Sequence, residues 1–210
     1  MPKNPVIEVT LDGPYIVRDL NSLKNSRGES MKTQQVMALC RCGKSSTKPF
    51  CNGTHRKIGF SGRRERERIP DTVDNYHGKE ITIHDNRCVC ARAGHCTSNA
   101  PSVFRSDRTP WIDPNGASAD HIADAIRRCP SGALSYSRDG VLFKNQDRTP
   151  SITVSRNASY AVVGAPDLLD PLGSKPESKE HYTLCRCGGS KNKPFCDGTH
   201  IEINFTDSNS

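Results

Sequence analysis

The chain is poor in the residues that build a large core. Only 33% of its 210 residues are hydrophobic, aromatics make up 6%, and mean hydropathy is −0.67. So lean a sequence fills one or two small domains at most and needs some device other than apolar burial to staple it. It lacks an apolar run long enough to span a bilayer, so no membrane association is expected. Met1-Pro-Lys-Asn-Pro5 lacks the apolar stretch of a secretory leader. Also missing are a phosphate-cradling glycine loop and a nucleophile–base pair, which argues against an enzyme. What the chain does have is ten cysteines. With no sign of secretion, a cytoplasmic location is expected, and the thiols there serve metal or redox chemistry rather than structural disulfides.

Net charge is +7, from 30 basic and 23 acidic residues, and it is densest at Arg63–Arg68. Those arginines alternate with Glu65 and Glu67, the pattern of a solvated linker. Metal-bound thiolates would lower the balance further, so no nucleic-acid partner is expected.

The cysteines fall into a repeat. Leu39-Cys-Arg-Cys-Gly-Lys-Ser-Ser-Thr-Lys-Pro-Phe-Cys-Asn-Gly-Thr-His55 recurs as Leu184-Cys-Arg-Cys-Gly-Gly-Ser-Lys-Asn-Lys-Pro-Phe-Cys-Asp-Gly-Thr-His200, with 13 of 17 positions identical. The same 145-residue offset aligns Pro5 with Pro150, Val9 with Val154, Tyr15 with Tyr160 and Phe60 with Phe205, so residues 5–60 match 150–205 without a gap. A spacing shared over that length marks two copies of one structural unit. Each copy predicts two short strands (Val6–Val9 and Tyr15–Val17; Ile152–Val154 and Tyr160–Val163). A third (Val36–Leu39; His181–Leu184) leads into the first cysteine. Asn52 and Asp197 are good N-caps for a short helix that places Cys51 and His55, or Cys196 and His200, on one side.

Three cysteines and one histidine per copy read as a metal site: Cys40, Cys42, Cys51 and His55, then Cys185, Cys187, Cys196 and His200. Cys-x-Cys at a strand end puts two sulfurs on one face, and the later Cys and His bring a second pair. Two pairs suit a two-iron cluster, and the same residues suit a single tetrahedral zinc; spacing alone leaves both open. Both motifs resemble the CDGSH iron–sulfur family, the mitoNEET-type proteins, with pattern Cys-x-Cys-x2-(Ser/Thr)-x3-Pro-x-Cys-Asp-Gly-(Ser/Thr)-His. Copy two fits throughout, including Ser190, Pro194 and Asp197, while copy one has Asn52 in place of the Asp. The resemblance implies a [2Fe–2S] cluster in each copy, held by the three Cys and the His, and paired units. Here the pair would be an intramolecular pseudo-dimer within a monomer, with an internal pseudo-two-fold axis.

Between the copies, residues 61–78 read as a linker and 79–145 as a separate unit. Its predicted elements are a strand (Glu80–His84), a cysteine loop, a helix (Ala119–Arg128) capped by Ser118, and a hairpin turning at Asp139-Gly140. Cys90-Ala-Arg-Ala-Gly-His-Cys96, with Cys129-Pro-Ser-Gly-Ala-Leu134 much later, resembles a divergent mono-cluster ferredoxin. Set against the bacterial Cys-x2-Cys-x2-Cys-x3-Cys-Pro run, Ala93 and Ala100 replace two cysteines. The resemblance implies three ligands, Cys90, Cys96 and Cys129, around one [3Fe–4S] or [4Fe–4S] cluster. Cys88 fits no position and is either a fourth ligand or a spare thiol.

The expectation is an α+β protein of small cluster-stapled domains: a CDGSH unit at 5–60, a linker at 61–78, a ferredoxin-like unit at 79–145 and a second CDGSH unit at 150–205. It would carry single electrons to and from redox partner proteins, with redox sensing or cluster transfer as variants. The alternative is a zinc-stapled binding module that uses Arg63–Arg68 to meet acidic partners.

Overall fold

The computed structural model describes residues 4–207. In chain order its strands are β1 (Val6–Val9), β2 (Tyr15–Arg18), β3 (Leu23–Lys24), β4 (Val36–Leu39), β5 (Asp74–His77), β6 (Thr82–Asp85), β7 (Leu134–Arg138), β8 (Val141–Phe143), β9 (Ser151–Val154), β10 (Tyr160–Val163), β11 (Asp167–Leu169) and β12 (Tyr182–Leu184). Its α-helices are α1 (Thr54–Lys57), α2 (His95–Asn99), α3 (Ala119–Arg127) and α4 (Thr199–Glu202). The chain is thus mixed α+β, mostly strand with few helices. No helix among the described residues is long and apolar enough to cross a membrane.

Three four-stranded sheets carry it, ordered β11-β1-β2-β4, β12-β10-β9-β3 and β5-β6-β7-β8. The first two are related by the repeat, and each borrows a strand from the other copy. β11 runs parallel to β1, with Ile7 opposite Leu168, and β3 runs parallel to β9, with Leu23 opposite Ile152. Alternation sets which face is inside: Ile7, Val9, Tyr15 and Val17 are buried along β1 and β2, and Ile152, Val154, Tyr160 and Val162 along β9 and β10. The copies meet at Tyr15 and Tyr160, whose rings stand edge to face at 6.1 Å. Each phenol reaches across. Tyr15 donates to the carbonyls of Cys185 and Pro194, and Tyr160 to those of Cys40 and Pro49, all at 2.9 to 3.0 Å.

The third sheet belongs to the inserted unit. It takes in β5, which lies within the stretch expected to be linker; its pairing partner β6 follows after a short turn. α3 packs on this sheet with Ile122, Ala125 and Ile126 inward, and Ser118 caps it by accepting from the His121 amide. At the hairpin, Asp139 and Gly140 both take left-handed backbone, as a tight turn between twisted strands requires.

Candidate metal centres

Both repeat motifs leave the end of a strand as a loop that returns to it. Leu39 bridges to Phe50 and Leu184 to Phe195, so the last cysteine comes back beside the first two. The Cys40 and Cys51 amides donate to the carbonyls of Pro49 and Ala38, and those of Cys185 and Cys196 to Pro194 and Thr183. Ser45 and Ser190 hold the loop itself, donating to the Phe50 and Phe195 carbonyls at 2.6 and 2.7 Å. Lys48 and Lys193 cap the Ser45 and Ser190 carbonyls, both at 2.6 Å. The start of each short helix differs from expectation by one residue. Gly53 and Gly198, in left-handed backbone, occupy the cap position. Asn52 and Asp197 instead accept from the Thr54 and Thr199 amides one step outside, and the two cysteines precede the helix.

The potential ligands in each copy gather as two close pairs. Cys40 Sγ lies 3.8 Å from Cys42 Sγ, and Cys51 Sγ lies 3.4 Å from His55 Nδ1. Copy two repeats these distances at Cys185/Cys187 and Cys196/His200. Two thiolates about 2.3 Å from one tetrahedral ion stand about 3.8 Å apart, and a thiolate and an imidazole nitrogen about 3.6 Å. Each pair therefore has the spacing of two ligands on one metal. The pairs do not merge: no three Cys, His, Asp or Glu side chains among the described residues converge closely enough to hold a single ion. The donor set fits a centre with two metals.

Electrostatics favour a cation there. Burial lifts the Cys42 and Cys196 thiols, so the anionic form is costly without a compensating charge. Cys185 and Cys187 share one proton: a hydrogen bond from Cys187 holds the Cys185 thiol down at about 6, and that same bond pushes the Cys187 thiol up. Burial depresses His200, keeping its imidazole neutral and able to bind metal.

Between the paired cysteines sit two buried arginines, a feature the sequence reading missed. Arg41 donates to the Thr10 and Gly62 carbonyls and lies over the Tyr15 and Phe60 rings at 5.4 and 5.6 Å. Arg186 donates to the Ala158 and Ser155 carbonyls, pairs with the Asp207 carboxylate, and lies over Tyr160 and Phe205. Their identity in both copies was the available signal.

In the inserted unit Cys90, Cys96 and Cys129 line one cavity of about 480 Å³, walled by Trp111, Ala93 and Leu134. The left-handed turn at Arg92 and Gly94 folds the Cys-x5-Cys loop around it, α2 carries Cys96, and Cys129 enters just past α3. Burial lifts the Cys90 thiol and pushes that of Cys96 up to about 11. Cys88 is buried but does not line this cavity. Its carbonyl accepts from Asn192 of the second motif, and its thiol, raised by burial, lies in the field of Asp71 and Arg68. Two of the remaining histidines are held structurally: His84 bonds Asn75 and Ser137, and His181 bonds Ser178 and Glu180. His95, expected to be a solvated loop residue, is exposed and lines the cysteine cavity.

Comparison with protein families agrees with this arrangement. Residues 12–56 and 157–201 each match the family described as iron-binding zinc finger, CDGSH type, and the two matches lie 145 residues apart. Residues 76–139 match the family described as divergent 4Fe–4S mono-cluster. No curated protein and no solved structure matches the chain. These two families indicate an iron–sulfur protein. It consists of two CDGSH-type iron-binding domains flanking one divergent 4Fe–4S mono-cluster domain.

Proposed function

We propose that the chain is a monomeric one-electron carrier with three iron–sulfur centres. In the first, Cys40 and Cys42 hold one iron of a [2Fe–2S] cluster, and Cys51 and His55 hold the other. Cys185 with Cys187, and Cys196 with His200, do the same in the second. Cys90, Cys96 and Cys129 hold a [3Fe–4S] or [4Fe–4S] cluster in the middle unit. The observation that carries this reading is the separation of each repeat's ligands into two metal-spaced pairs with no converged foursome. A structural zinc site would require the foursome.

Such clusters, when bound, supply reversible uptake of single electrons at potentials set by their surroundings. The chain's own residues do the rest. The crossed phenols of Tyr15 and Tyr160 fix each ligand loop from the opposite copy, which favours an internal pseudo-dimer. Ligation through His200 Nδ1 leaves the ring proton on Nε2. The cavity of the middle unit has room for a group much larger than one ion. Redox partner proteins would exchange electrons with it; no substrate chemistry is assigned to the chain itself. Stepwise addition of a one-electron reductant to anaerobically purified protein should bleach its visible absorption reversibly. Colourless, zinc-bearing protein would overturn the proposal.

A further inference from the structure

The two CDGSH motifs are close to identical, yet the inserted unit packs against only one of them. Gly53 and Gly198 occupy the same motif position, with φ of 86° and 90°. A Cβ on Gly53 would meet nothing within 4 Å, whereas on Gly198 it would meet Arg92 Cδ and Cγ at 2.5 and 2.6 Å. Arg92 belongs to the inserted unit and lines its cysteine cavity. Its guanidinium donates to Glu202 at 2.8 Å. At the 145-residue offset the first copy has Lys57, which would repel an arginine there. A second contact repeats the pattern. Asn192 donates to the Cys88 carbonyl at 2.9 Å, whereas its counterpart Thr47 is exposed and bonds only within its own loop. Among the described residues the linker hydrogen-bonds the first motif only at Arg41, through the Gly62 carbonyl and away from the Cys51/His55 pair, and it grips the second motif's loop: the Glu65 amide donates to the Lys191 carbonyl at 2.9 Å, and Arg64 Nε to that of Lys193 at 3.1 Å.

The Cys-x-Cys pairs are equally buried in both copies, so the asymmetry falls on the Cys/His pairs. Cys196 and His200 are 2% and 7% exposed, while Cys51 and His55 are only half-buried. We propose that the two CDGSH sites are functionally inequivalent: the inserted unit and the linker clamp the second site and make it retentive, and the first is the site that exchanges its bound metal group with the outside. The inference rests on the two-iron ligand assignments proposed above and adds to electron transfer an exchange of the bound group at one site. A ligand can be replaced only where a competing donor reaches it, either directly or after local opening. At the first site Cys51 and His55 are already reachable. At the second, the Arg92–Glu202 and Asn192–Cys88 contacts must part first.

Anaerobic full-length protein, first assayed for iron and sulfide, is challenged with excess of a ferrous-iron chelator at neutral pH. Loss of each centre is followed by absorption and by EPR of reduced samples. The two-iron centres should empty in two phases separated by at least about tenfold. Arg92→Ala and Glu202→Lys should each speed the slow phase several-fold and leave the fast phase unchanged. Arg92 and Glu202 are 43% and 55% exposed, so neither change empties a core. A single phase in the parent protein overturns the proposal, as does a variant that moves the fast phase or neither. Absence of iron and sulfide from the starting sample would instead defeat the iron–sulfur reading, so the two failures are distinguishable.

Discussion

The two CDGSH sites should differ in reduction potential, with the first the higher. From the motif onward, five positions at the 145-residue offset change charge in the same sense: Lys44 against Gly189, Asn52 against Asp197, Arg56 against Ile201, Lys57 against Glu202, and Gly62 against Asp207. Arg92, Lys191 (Ser46 in the first copy) and Asp12 (Asn157 in the second) act the other way, Asp12 accepting from the Gly62 amide just as Asn157 accepts from that of Asp207. Asp197 stays ionised: burial works to raise its carboxyl, but hydrogen bonds from Thr199 and the Lys191 amide outweigh burial and hold it below the usual range. Reduction adds an electron, so extra negative charge lowers the potential. One unit charge at about 10 Å, with an effective dielectric of about 20, contributes about 1.7 kcal/mol, or about 70 mV for a one-electron couple. Lys57 and Glu202 are exposed and contribute less through solvent screening, and Asp207 is offset in part by Arg186. A gap of about 50 mV follows, carried mainly by Asp197. EPR-monitored potentiometric titration would resolve it. Asp197→Asn should raise the second site by about 50 mV, and Asn52→Asp should lower the first by a similar amount. Coincident midpoints, or a second site above the first, would refute the electrostatic reasoning.

Two further outcomes follow from the inserted unit. Asp85 is buried, with Oδ2 accepting from Trp111 Nε1 at 3.2 Å and Oδ1 unpartnered, and burial lifts its carboxyl to about 6 against the pull of Arg87 and Trp111. The folded chain therefore holds a proton there that the unfolded chain has released. Asp85 carries no penalty below about pH 4, an increasing one between about pH 4 and 6, and a constant one above. Asp85→Asn should stabilise the protein by about 1–3 kcal/mol at pH 7.5 and by about a third as much at pH 4.5, read from thermal unfolding at both; a gain independent of pH would contradict the assignment. Because Cys88 does not line the cysteine cavity, Cys88→Ser should leave the iron content and EPR signal of the middle centre unchanged, and loss of that signal would make Cys88 a ligand.

Much of this was legible in the sequence because the repeat writes it twice. The strands at Val6–Val9, Val36–Leu39 and Tyr160–Val163 coincide with their hydrophobic alternation. The Cys-x-Cys and Cys-x3-His residues do come together as close pairs, although the cysteines of the second pair precede the short helix expected to carry them. The exchanged strands β3 and β11 were not legible. They are two or three residues long, flanked by polar loops, and each pairs with a strand more than a hundred residues away. No local period records such a partner. β5 was hidden for a related reason: Asp74-Asn-Tyr-His77 is an exposed edge whose composition reads as linker. Arg92 looks like any loop arginine until its contact with Gly198 is seen. The change from Lys57 to Glu202 between the copies was the mark it left in the sequence.

Metal content tests the account most directly. Iron, acid-labile sulfide and zinc should be measured on protein purified anaerobically from cells supplied with iron. Two [2Fe–2S] centres and one middle cluster require roughly seven or eight irons and roughly eight sulfides per chain, with no zinc. Zinc near one equivalent per motif, with no sulfide, would contradict it.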